Sequence, residues 1–355
     1  MRRIRVLIVD DSLFMRAAIA KTLGTPAFEI VGQAKDGKDA LAQIAKLKPD
    51  VVTMDFNMPG MNGAETVREV MRTHPTPVVM FSAHTKQGAK ETFDALAAGA
   101  VDFVTKPAGE VSVDLSKIAN ELITKLTAAS QSRPRVAVAP LPSRPSGVIP
   151  AQSGTPAYGT SLRTGQSLTG TSTRVCVIGI STGGPAALSE VIPALPENLK
   201  LAIVVVQHMP AGFTAALAER LDAASKVSVH EAQAGDRPMP GSVLIAPGDK
   251  HLEFDDRGNV VLTDGPMVNG CRPAADVTMQ SAARVFGRRT LAVVMTGMGK
   301  DGAAGALAIK RAEGKTLAQD QQTSVIYGMP KAAIDAGAID EVAALGDIAA
   351  WLRYA

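Results

Sequence analysis

Short apolar runs alternate with amphipathic segments through the first third of the chain. The runs are Ile4–Val9, Ile30–Ala34, Val51–Met54, Val78–Phe81 and Val101–Val104. Runs without polar alternation are typical of strands buried on both faces, and a helical period between them is typical of crossover helices. The helical segments are predicted near 13–23, 37–47, 63–73, 87–98 and 112–128. Residues 1–128 are therefore predicted to form a five-stranded, doubly wound parallel sheet of the flavodoxin-like type.

The same kind of pattern begins again at residue 174. Its apolar runs are Val175–Ile180, Leu201–Gln207, Val243–Ala246, Val260–Thr263 and Leu291–Thr296. Helical periodicity lies near 185–193, 212–223, 273–286 and 303–313. The alternation predicts a second α/β domain over 174–355 with a mainly parallel sheet. The stretch 241–263 is predicted to be a short antiparallel excursion.

The segment 129–173 separates these two patterns. More than half of its residues are Pro, Gly, Ser or Thr, and it contains four arginines but no acidic residue. Such a composition buries too little apolar surface to offset the entropy of ordering. We predict a flexible linker, with a proline-rich docking segment as the alternative interpretation.

Composition excludes several classes of protein. No apolar run approaches the roughly 18 residues of a membrane span, and MRRIRVLIVD is predicted to be a first strand and not a signal peptide. The net charge of +3 and the absence of a helix-turn-helix pattern argue against nucleic acid binding. Two cysteines, Cys176 and Cys271, indicate a reducing cytoplasm. Nothing in the sequence requires more than a monomer.

Polar residues follow the predicted strands of the first domain where each strand ends. Asp10 and Asp11 follow the first strand, and Asp55 follows the third. Ser82 and Lys106 follow the fourth and fifth. Because the carboxyl ends of parallel strands meet at one edge of a sheet, these side chains are expected to converge. Clustered carboxylates suit Mg²⁺, and a carboxylate beside it can accept a phosphoryl group.

The second domain contains a candidate nucleophile. Gly179-Ile-Ser181-Thr-Gly183 fits a strand–turn–helix elbow that exposes a serine hydroxyl, although glycine-rich turns of this kind also bind phosphate or simply pack. His208 follows the next predicted strand, so it lies on the same edge and is the candidate base. Asp301, in a glycine-rich loop after a later strand, is the candidate orienting carboxylate.

Alternatives to these assignments remain open at this point. Asp301 could instead cap a helix, and the other acids considered for its role are Asp249, Asp276 and Asp320. Two further histidines lie in this domain. His230 is predicted to lie on a surface strand, and His251 is a candidate for the wall of the site.

The first domain closely resembles a two-component receiver domain. The motif consists of Asp10-Asp11, Asp55, Ser82 and Lys106-Pro107, in order and at typical spacing. The resemblance implies that Asp55 is phosphorylated, with a histidine kinase as phosphodonor. It also implies that Asp10, Asp11, Asp55 and the backbone carbonyl of Asn57 hold Mg²⁺.

The receiver resemblance also implies a switch. Ser82 and Phe103 would be the hydroxyl and the aromatic residue that respond to phosphorylation, and Lys106 would contact the phosphoryl group. The bond between Lys106 and Pro107 would be cis. A receiver can control an output domain of many kinds, including one that binds DNA, but the second half of this chain lacks any basic stripe.

Four motifs of the second domain, taken together, resemble the catalytic domain of CheB-type chemotaxis protein-glutamate methylesterases. They are Gly-Ile-Ser181-Thr-Gly-Gly, Gln-His208-Met-Pro-Ala-Gly-Phe, Ala-Pro-Gly-Asp-Lys-His251 and Met-Thr-Gly-Met-Gly-Lys-Asp301-Gly-Ala. The resemblance implies a triad of Ser181, His208 and Asp301 and no cofactor for the esterase.

This resemblance also implies a reaction and its regulation. The substrates would be glutamate γ-methyl esters of methyl-accepting chemoreceptors, with release of methanol, and receptor glutamines would be deamidated. The receiver would block the cleft until it is phosphorylated. The backbone N–H groups of Thr182 and Met298 are candidate oxyanion donors. Cys271 is predicted to be inert, and a serine-dependent deamidase or esterase acting on another protein is the alternative function.

Overall fold

The N-terminal half forms one parallel sheet with helices on both faces. The computed structural model describes residues 2–83, 85–106, 118–132 and 173–355. Its first sheet has the strand order β2-β1-β3-β4-β5. The strands are β1 (Ile4–Val9), β2 (Phe28–Ala34), β3 (Val51–Asp55), β4 (Val78–Ala83) and β5 (Asp102–Lys106). The helices are α1 (Leu13–Thr22), α2 (Gly37–Leu47), α3 (Gly63–Thr73), α4 (Lys86–Ala97) and α5 (Ala119–Ser130). The predicted fold of this half is confirmed.

Side-chain caps fix the loops that carry the polar edge of this sheet. Ser12 accepts a hydrogen bond from the backbone N–H of Met15 at the start of α1. Asn62 and Glu65 form a reciprocal capping box at the start of α3. These bonds satisfy N–H groups that a helix leaves unpaired, so the chain leaves β1 and β3 along defined paths.

The C-terminal half contains a seven-stranded parallel sheet with the order β14-β13-β12-β6-β7-β9-β8. The strands are β6 (Arg174–Ile180), β7 (Leu201–Gln207), β8 (Ser228–Glu231), β9 (Ser242–Ile245), β12 (Thr290–Val294), β13 (Lys315–Gln319) and β14 (Glu341–Ala343). The helices are α6 (Gly184–Val191), α7 (Phe213–Ala224), α8 (Ala275–Phe286), α9 (Ala303–Arg311), α10 (Met329–Asp335) and α11 (Leu345–Tyr354).

The antiparallel excursion is confirmed but is shorter than predicted. It consists of β10 (His251–Phe254) and β11 (Val260–Thr263), which pair only with each other among the described residues. The predicted start at residue 241 is wrong, because β9 pairs in parallel with β7 and belongs to the main sheet. The apolar residues of β9 are buried on both faces, which is the signature of a parallel strand.

The strand order brings the loops that follow three neighbouring strands to one edge of the sheet. The central strand β6 is flanked by β7 on one side and by β12 on the other. The chain leaves β6 toward β7 and later returns to the opposite side, so a crevice opens beyond the carboxyl ends of these strands. Residues that follow β6, β7 and β12 therefore meet at one edge of the sheet.

The two halves contact each other through the carboxyl edge of the second sheet. The Phe103 ring of β5 stacks on the Phe213 ring of α7, with centroids 4.6 Å apart. Asp94 of α4 forms an ion pair with Arg220 of α7 at 3.2 Å. α5 ends at Ser130, and residues 133–172 of the predicted linker lie outside the described residues. Within the described parts, no helix is long and apolar enough to cross a membrane.

Candidate active site and phosphoacceptor site

Ser181 follows β6 directly and is held by the neighbouring strand. Its backbone N–H donates to the carbonyl of Thr296 at 3.0 Å. Gly183 turns the chain into α6 with a φ of +80°, which favours glycine. Gly297 packs so closely that a Cβ there would lie 2.8 Å from Cβ of Ser181. The expected strand–turn–helix elbow is therefore present, and both glycines are required by its geometry.

His208 follows β7 and faces the same crevice. Its backbone N–H donates to the carbonyl of Ile180 at 3.1 Å. The side-chain amide of Gln207 donates to the carbonyls of Ser181 and His208, each at 3.1 Å. These bonds connect Ile180 and Ser181, at the end of β6, with His208, at the end of β7. The elbow and the candidate base are therefore held in fixed relative positions.

Asp301 is the carboxylate that contacts this imidazole. Its Oδ2 lies 2.7 Å from Nε2 of His208, which leaves Nδ1 as the nitrogen available to a substrate or a nucleophile. The backbone N–H groups of Ala275 and Asp276, at the start of α8, donate to Asp301 at 2.6 and 3.1 Å. These backbone donors contact both oxygens of the buried carboxylate and contribute to its orientation.

The other acids considered for this role have different partners. Asp249 pairs with Arg272 at the surface, and Asp320 caps the turn that contains Thr323. Asp276 accepts hydrogen bonds from Gly305 at 2.7 Å and from Asn269 at 2.8 Å. None of the three is hydrogen-bonded to His208 in the described part of the chain.

The electrostatics of the pair favour an ion pair in the resting state. Burial would lower the pKa of His208, but hydrogen bonds to Asp301 and Cys271 outweigh it and raise that pKa to about 9. Burial would raise the pKa of Asp301, yet the His208 hydrogen bond lowers it overall. The imidazole must therefore lose a proton before it can act as a base.

The two candidate oxyanion donors flank Ser181. Thr182 follows it in the chain, and Met298 follows Gly297, which packs on Ser181. Neither backbone N–H donates to another described residue. The Thr182 hydroxyl is engaged elsewhere, because it donates to Oδ2 of Asp102 at 2.7 Å across the contact between the halves.

Cys271, which is predicted to be inert, has a histidine neighbour that is not evident in the sequence. Its Sγ lies 3.5 Å from Nδ1 of His208. The signal was missed because the sequence separation is large and only a turn before α8 brings the sulfur back to the site. Among the described residues, the Ser181 hydroxyl makes no hydrogen bond to that nitrogen.

The two other histidines of this domain lie outside the candidate catalytic set. His230 is half exposed on β8, as predicted, at 3.5 Å from Asp236. His251 is buried under the loop that precedes α8. Its Nε2 lies 3.0 Å from the carbonyl of Pro266, and its Nδ1 accepts from the N–H of Ala274 at 3.3 Å. It supports the loop that carries Cys271 and does not touch the His208–Asp301 pair.

The acidic edge of the first sheet forms a second site. One carboxylate oxygen from each of Asp10, Asp11 and Asp55 lies within 4.8 Å of the others. Nζ of Lys106 lies 2.8 Å from Asp55 and 3.2 Å from Asp10. Burial raises the pKa of Asp55 to about 6, partly opposed by Lys106. Three hard oxygen donors with such repulsion fit a divalent cation such as Mg²⁺.

The remaining receiver residues have defined places. Ser82 is buried and donates to the carbonyl of Gly88 at 3.1 Å, while the hydroxyl of Thr92 donates to it at 2.6 Å. It is therefore bonded to α4. Asn57 lies in the loop after β3, and its carbonyl accepts no bond from another described residue. Pro107, with the expected cis bond before it, lies outside the described residues.

Comparison with known proteins identifies the two halves. A family profile described as CheB methylesterase matches residues 176–352, and one described as response regulator receiver domain matches residues 6–115. A relative from Symbiobacterium thermophilum is 46% identical over 98% of this chain and 96% of its own length. It is described as a protein-glutamate methylesterase/protein-glutamine glutaminase. The chain belongs to the CheB methylesterase family.

Other members of the CheB family agree with this assignment. A relative with the same description from Pyrococcus abyssi is 44% identical over 98% of this chain and 92% of its own length. The crystal structure of the Thermotoga maritima CheB methylesterase catalytic domain is 45% identical, with a TM-score of 0.51. The alignment covers 52% of this chain and 99% of that one. The predicted resemblance to a CheB-type enzyme with an N-terminal receiver is confirmed.

Proposed function

We propose that this CheB-family enzyme hydrolyses glutamate γ-methyl esters of methyl-accepting chemoreceptors by a Ser-His-Asp mechanism. Ser181 attacks the ester carbonyl, Nδ1 of His208 takes the hydroxyl proton, and the same nitrogen protonates methanol as it leaves. Asp301 holds the imidazole through Nε2 and stabilises its charged form. Water then attacks the acyl-enzyme and releases the glutamate carboxylate.

Backbone N–H groups of Thr182 and Met298 stabilise the oxyanion in this proposal. Each such donor contributes roughly 3 kcal/mol to transition-state stabilisation. The same acyl-enzyme forms from a glutamine side chain with loss of ammonia, so the enzyme also deamidates receptor glutamines. The description of the relatives as methylesterases and glutaminases supports both reactions.

The receiver regulates this reaction. Asp55 accepts a phosphoryl group from a histidine kinase, and the carboxylates of Asp10, Asp11 and Asp55 with the carbonyl of Asn57 would hold Mg²⁺. The ion, when bound, neutralises charge on the phosphoryl oxygens. Lys106 contacts the same oxygens. Such an enzyme acts in the cytoplasm as a monomer.

Docking of the receiver beside Ser181 supports a model of inhibition by occlusion. The hydroxyl of Thr182, the residue after the nucleophile, is bonded to receiver Asp102 at 2.7 Å. Phe103, the proposed switch aromatic, is buried against Phe213. Phosphorylation would alter the contacts of Lys106 and Ser82, loosen this interface and open access to Ser181.

One observation carries the proposed chemistry. Ser181, His208 and Asp301 follow three adjacent strands, with Oδ2 of Asp301 at 2.7 Å from Nε2 of His208. A serine at an elbow beside an oriented imidazole is suited to acyl transfer.

The test is methanol release from methylated receptor membranes, with Mg²⁺ and a small-molecule phosphodonor. We expect release by the wild type and by Ser189→Ala, a matched serine variant on α6 whose hydroxyl bonds only within the helix. Ser181→Ala should release none. Equal release by Ser181→Ala and wild type would refute the nucleophile. If the wild type hydrolysed esters of another protein but released no methanol from the receptor, the receptor would be refuted as the substrate.

A further inference from the structure

Two side chains of the four-residue turn 268–271 contact two members of the proposed triad, His208 and Asp301. Val268 and Cys271 exchange backbone hydrogen bonds of 3.1 and 2.9 Å. The two central residues, Asn269 and Gly270, have φ values of +53° and +77°. Asn-Gly is favoured in turns of this conformation for backbone reasons alone. A role for Asn269 beyond the turn therefore needs evidence from its side chain.

The Asn269 side chain lies between two buried carboxylates. Its Nδ2 donates to Oδ2 of Asp276 at 2.8 Å and to Oδ1 of Asp301 at 3.1 Å. Asp276 is 6% exposed and Asp301 is 2% exposed. The second oxygen of Asp301 is the one bonded to His208. One amide group thus bridges the triad carboxylate and a second acid that would otherwise face it.

We propose that Asn269 is a positioning residue for the esterase reaction: its amide holds Oδ1 of Asp301 so that Oδ2 stays on Nε2 of His208. The inference rests on the proposed Ser-His-Asp mechanism. Among the described residues, Asn269 and His208 are the side chains that donate to Asp301. The other donors are backbone N–H groups of α8, which no substitution removes cleanly.

The charges around Asp276 and Asp301 explain why an amide is suited to position 269. The ionisable groups that raise the pKa of His208 are Asp301 and Cys271. Burial raises the pKa of Asp276, and the charge of Asp301 raises it further. The amide supplies one proton to each carboxylate and adds no charge. Without it, two buried carboxylates face each other and compete for a proton, and the negative charge that orients His208 is no longer fixed on Asp301.

Two substitutions separate positioning from turn formation. Asn269→Gly and Asn269→Asp both suit the left-handed backbone, so a residue needed only for the turn would tolerate both. We expect kcat for methanol release by the phosphorylated full chain to fall roughly tenfold to a hundredfold in each, with KM unchanged, because only triad geometry is altered.

The two variants should also differ in their response to pH. The introduced carboxyl group of Asn269→Asp donates a hydrogen bond only when it is protonated. The activity of Asn269→Asp relative to Asn269→Gly should therefore rise as the pH is lowered. A ratio that does not change with pH, in variants that remain folded across the range, would argue against the lost hydrogen bond as the cause.

Asn259→Gly is the matched control, because Nδ2 of Asn259 donates to Asp255 at 2.9 Å in the distant turn between β10 and β11. We expect wild-type kcat for it. Wild-type kcat in both Asn269 variants, with unfolding temperatures that show them folded, would overturn the inference. Activity in Ser181→Ala, measured alongside, would instead overturn the proposed mechanism itself, so the two failures are distinguishable.

Discussion

Removing the carboxylate of Asp102 should activate the unphosphorylated enzyme. This receiver side chain accepts the Thr182 hydroxyl at 2.7 Å in a buried contact, beside the proposed nucleophile. Asp102→Ala leaves that hydroxyl without its acceptor and also removes the 3.3 Å ion pair between Asp102 and Lys125, while Lys125 keeps its ion pair with Glu121 at 2.9 Å. The change lies outside the triad, so it should alter docking of the receiver and not the chemistry.

The magnitude follows from the type of bond. A hydrogen bond to a charged group contributes roughly 1.5–3 kcal/mol to a folded structure. Loss of about 2 kcal/mol from the docked state alone would shift the equilibrium toward the undocked state by about thirtyfold. If docking blocks the cleft, methanol release without phosphodonor rises by up to that factor. The ceiling is the rate of the fragment 174–355, which has no receiver to displace.

The assay compares methanol release by wild type, Asp102→Ala and the fragment 174–355, all without phosphodonor. Glu69→Ala is the matched control, because Glu69 forms an exposed ion pair with Arg72 within α3, away from the contact. It should retain the wild-type rate. A fast fragment with a wild-type rate for Asp102→Ala would show that this bond does not restrain the enzyme. A fragment no faster than the unphosphorylated full chain would refute occlusion altogether.

Three other outcomes are expected. Asp55→Asn should keep the basal rate of methanol release but lose its increase with phosphodonor; an increase equal to that of wild type would place the phosphoacceptor elsewhere. Alkylation by iodoacetamide should inactivate the wild type and spare C271S, because the sulfur lies 3.5 Å from Nδ1 of His208; equal inactivation of both would contradict this contact. Methanol release should rise with pH up to about 9, since the pKa of His208 is raised to about 9 and the neutral base is required. Asp301→Asn, which removes a cause of that shift, should move the rise to lower pH, and an unmoved profile would argue against the pair.

Sequence patterns predicted the residues at strand ends because parallel strands impose their own geometry. Ser181, His208 and the acidic residues of the first domain each follow an apolar run, and the ends of such runs meet at one edge. The strands β13 and β14 and the helices α10 and α11 were not predicted. β14 has only three residues at the edge of the sheet, none of them is buried, and no apolar run marks it.

Contacts made by loops and between domains could not be predicted in the same way. Asn269 and Cys271 lie far along the chain from His208 and reach the site through one turn, which local patterns do not relate to a distant strand. The bond between Asp102 and Thr182 joins two separate domains. Such contacts depend on tertiary docking, for which apolar periodicity carries no information.

The short strand β5 connects the acidic site of the receiver with the contact that the receiver makes to the other half of the chain. Lys106, at the carboxyl end of β5, contacts Asp55 and Asp10, and Asp102, at the other end, contacts Thr182. The five residues of β5 span roughly 13 Å between these ends, at about 3.3 Å per residue. A phosphoryl group on Asp55 would draw Lys106 toward new oxygens, and a packed strand transmits such a shift as a whole. The proposed phosphoacceptor would therefore need no separate relay to reach Thr182, beside the proposed nucleophile, because Asp102, Phe103 and Lys106 share one strand.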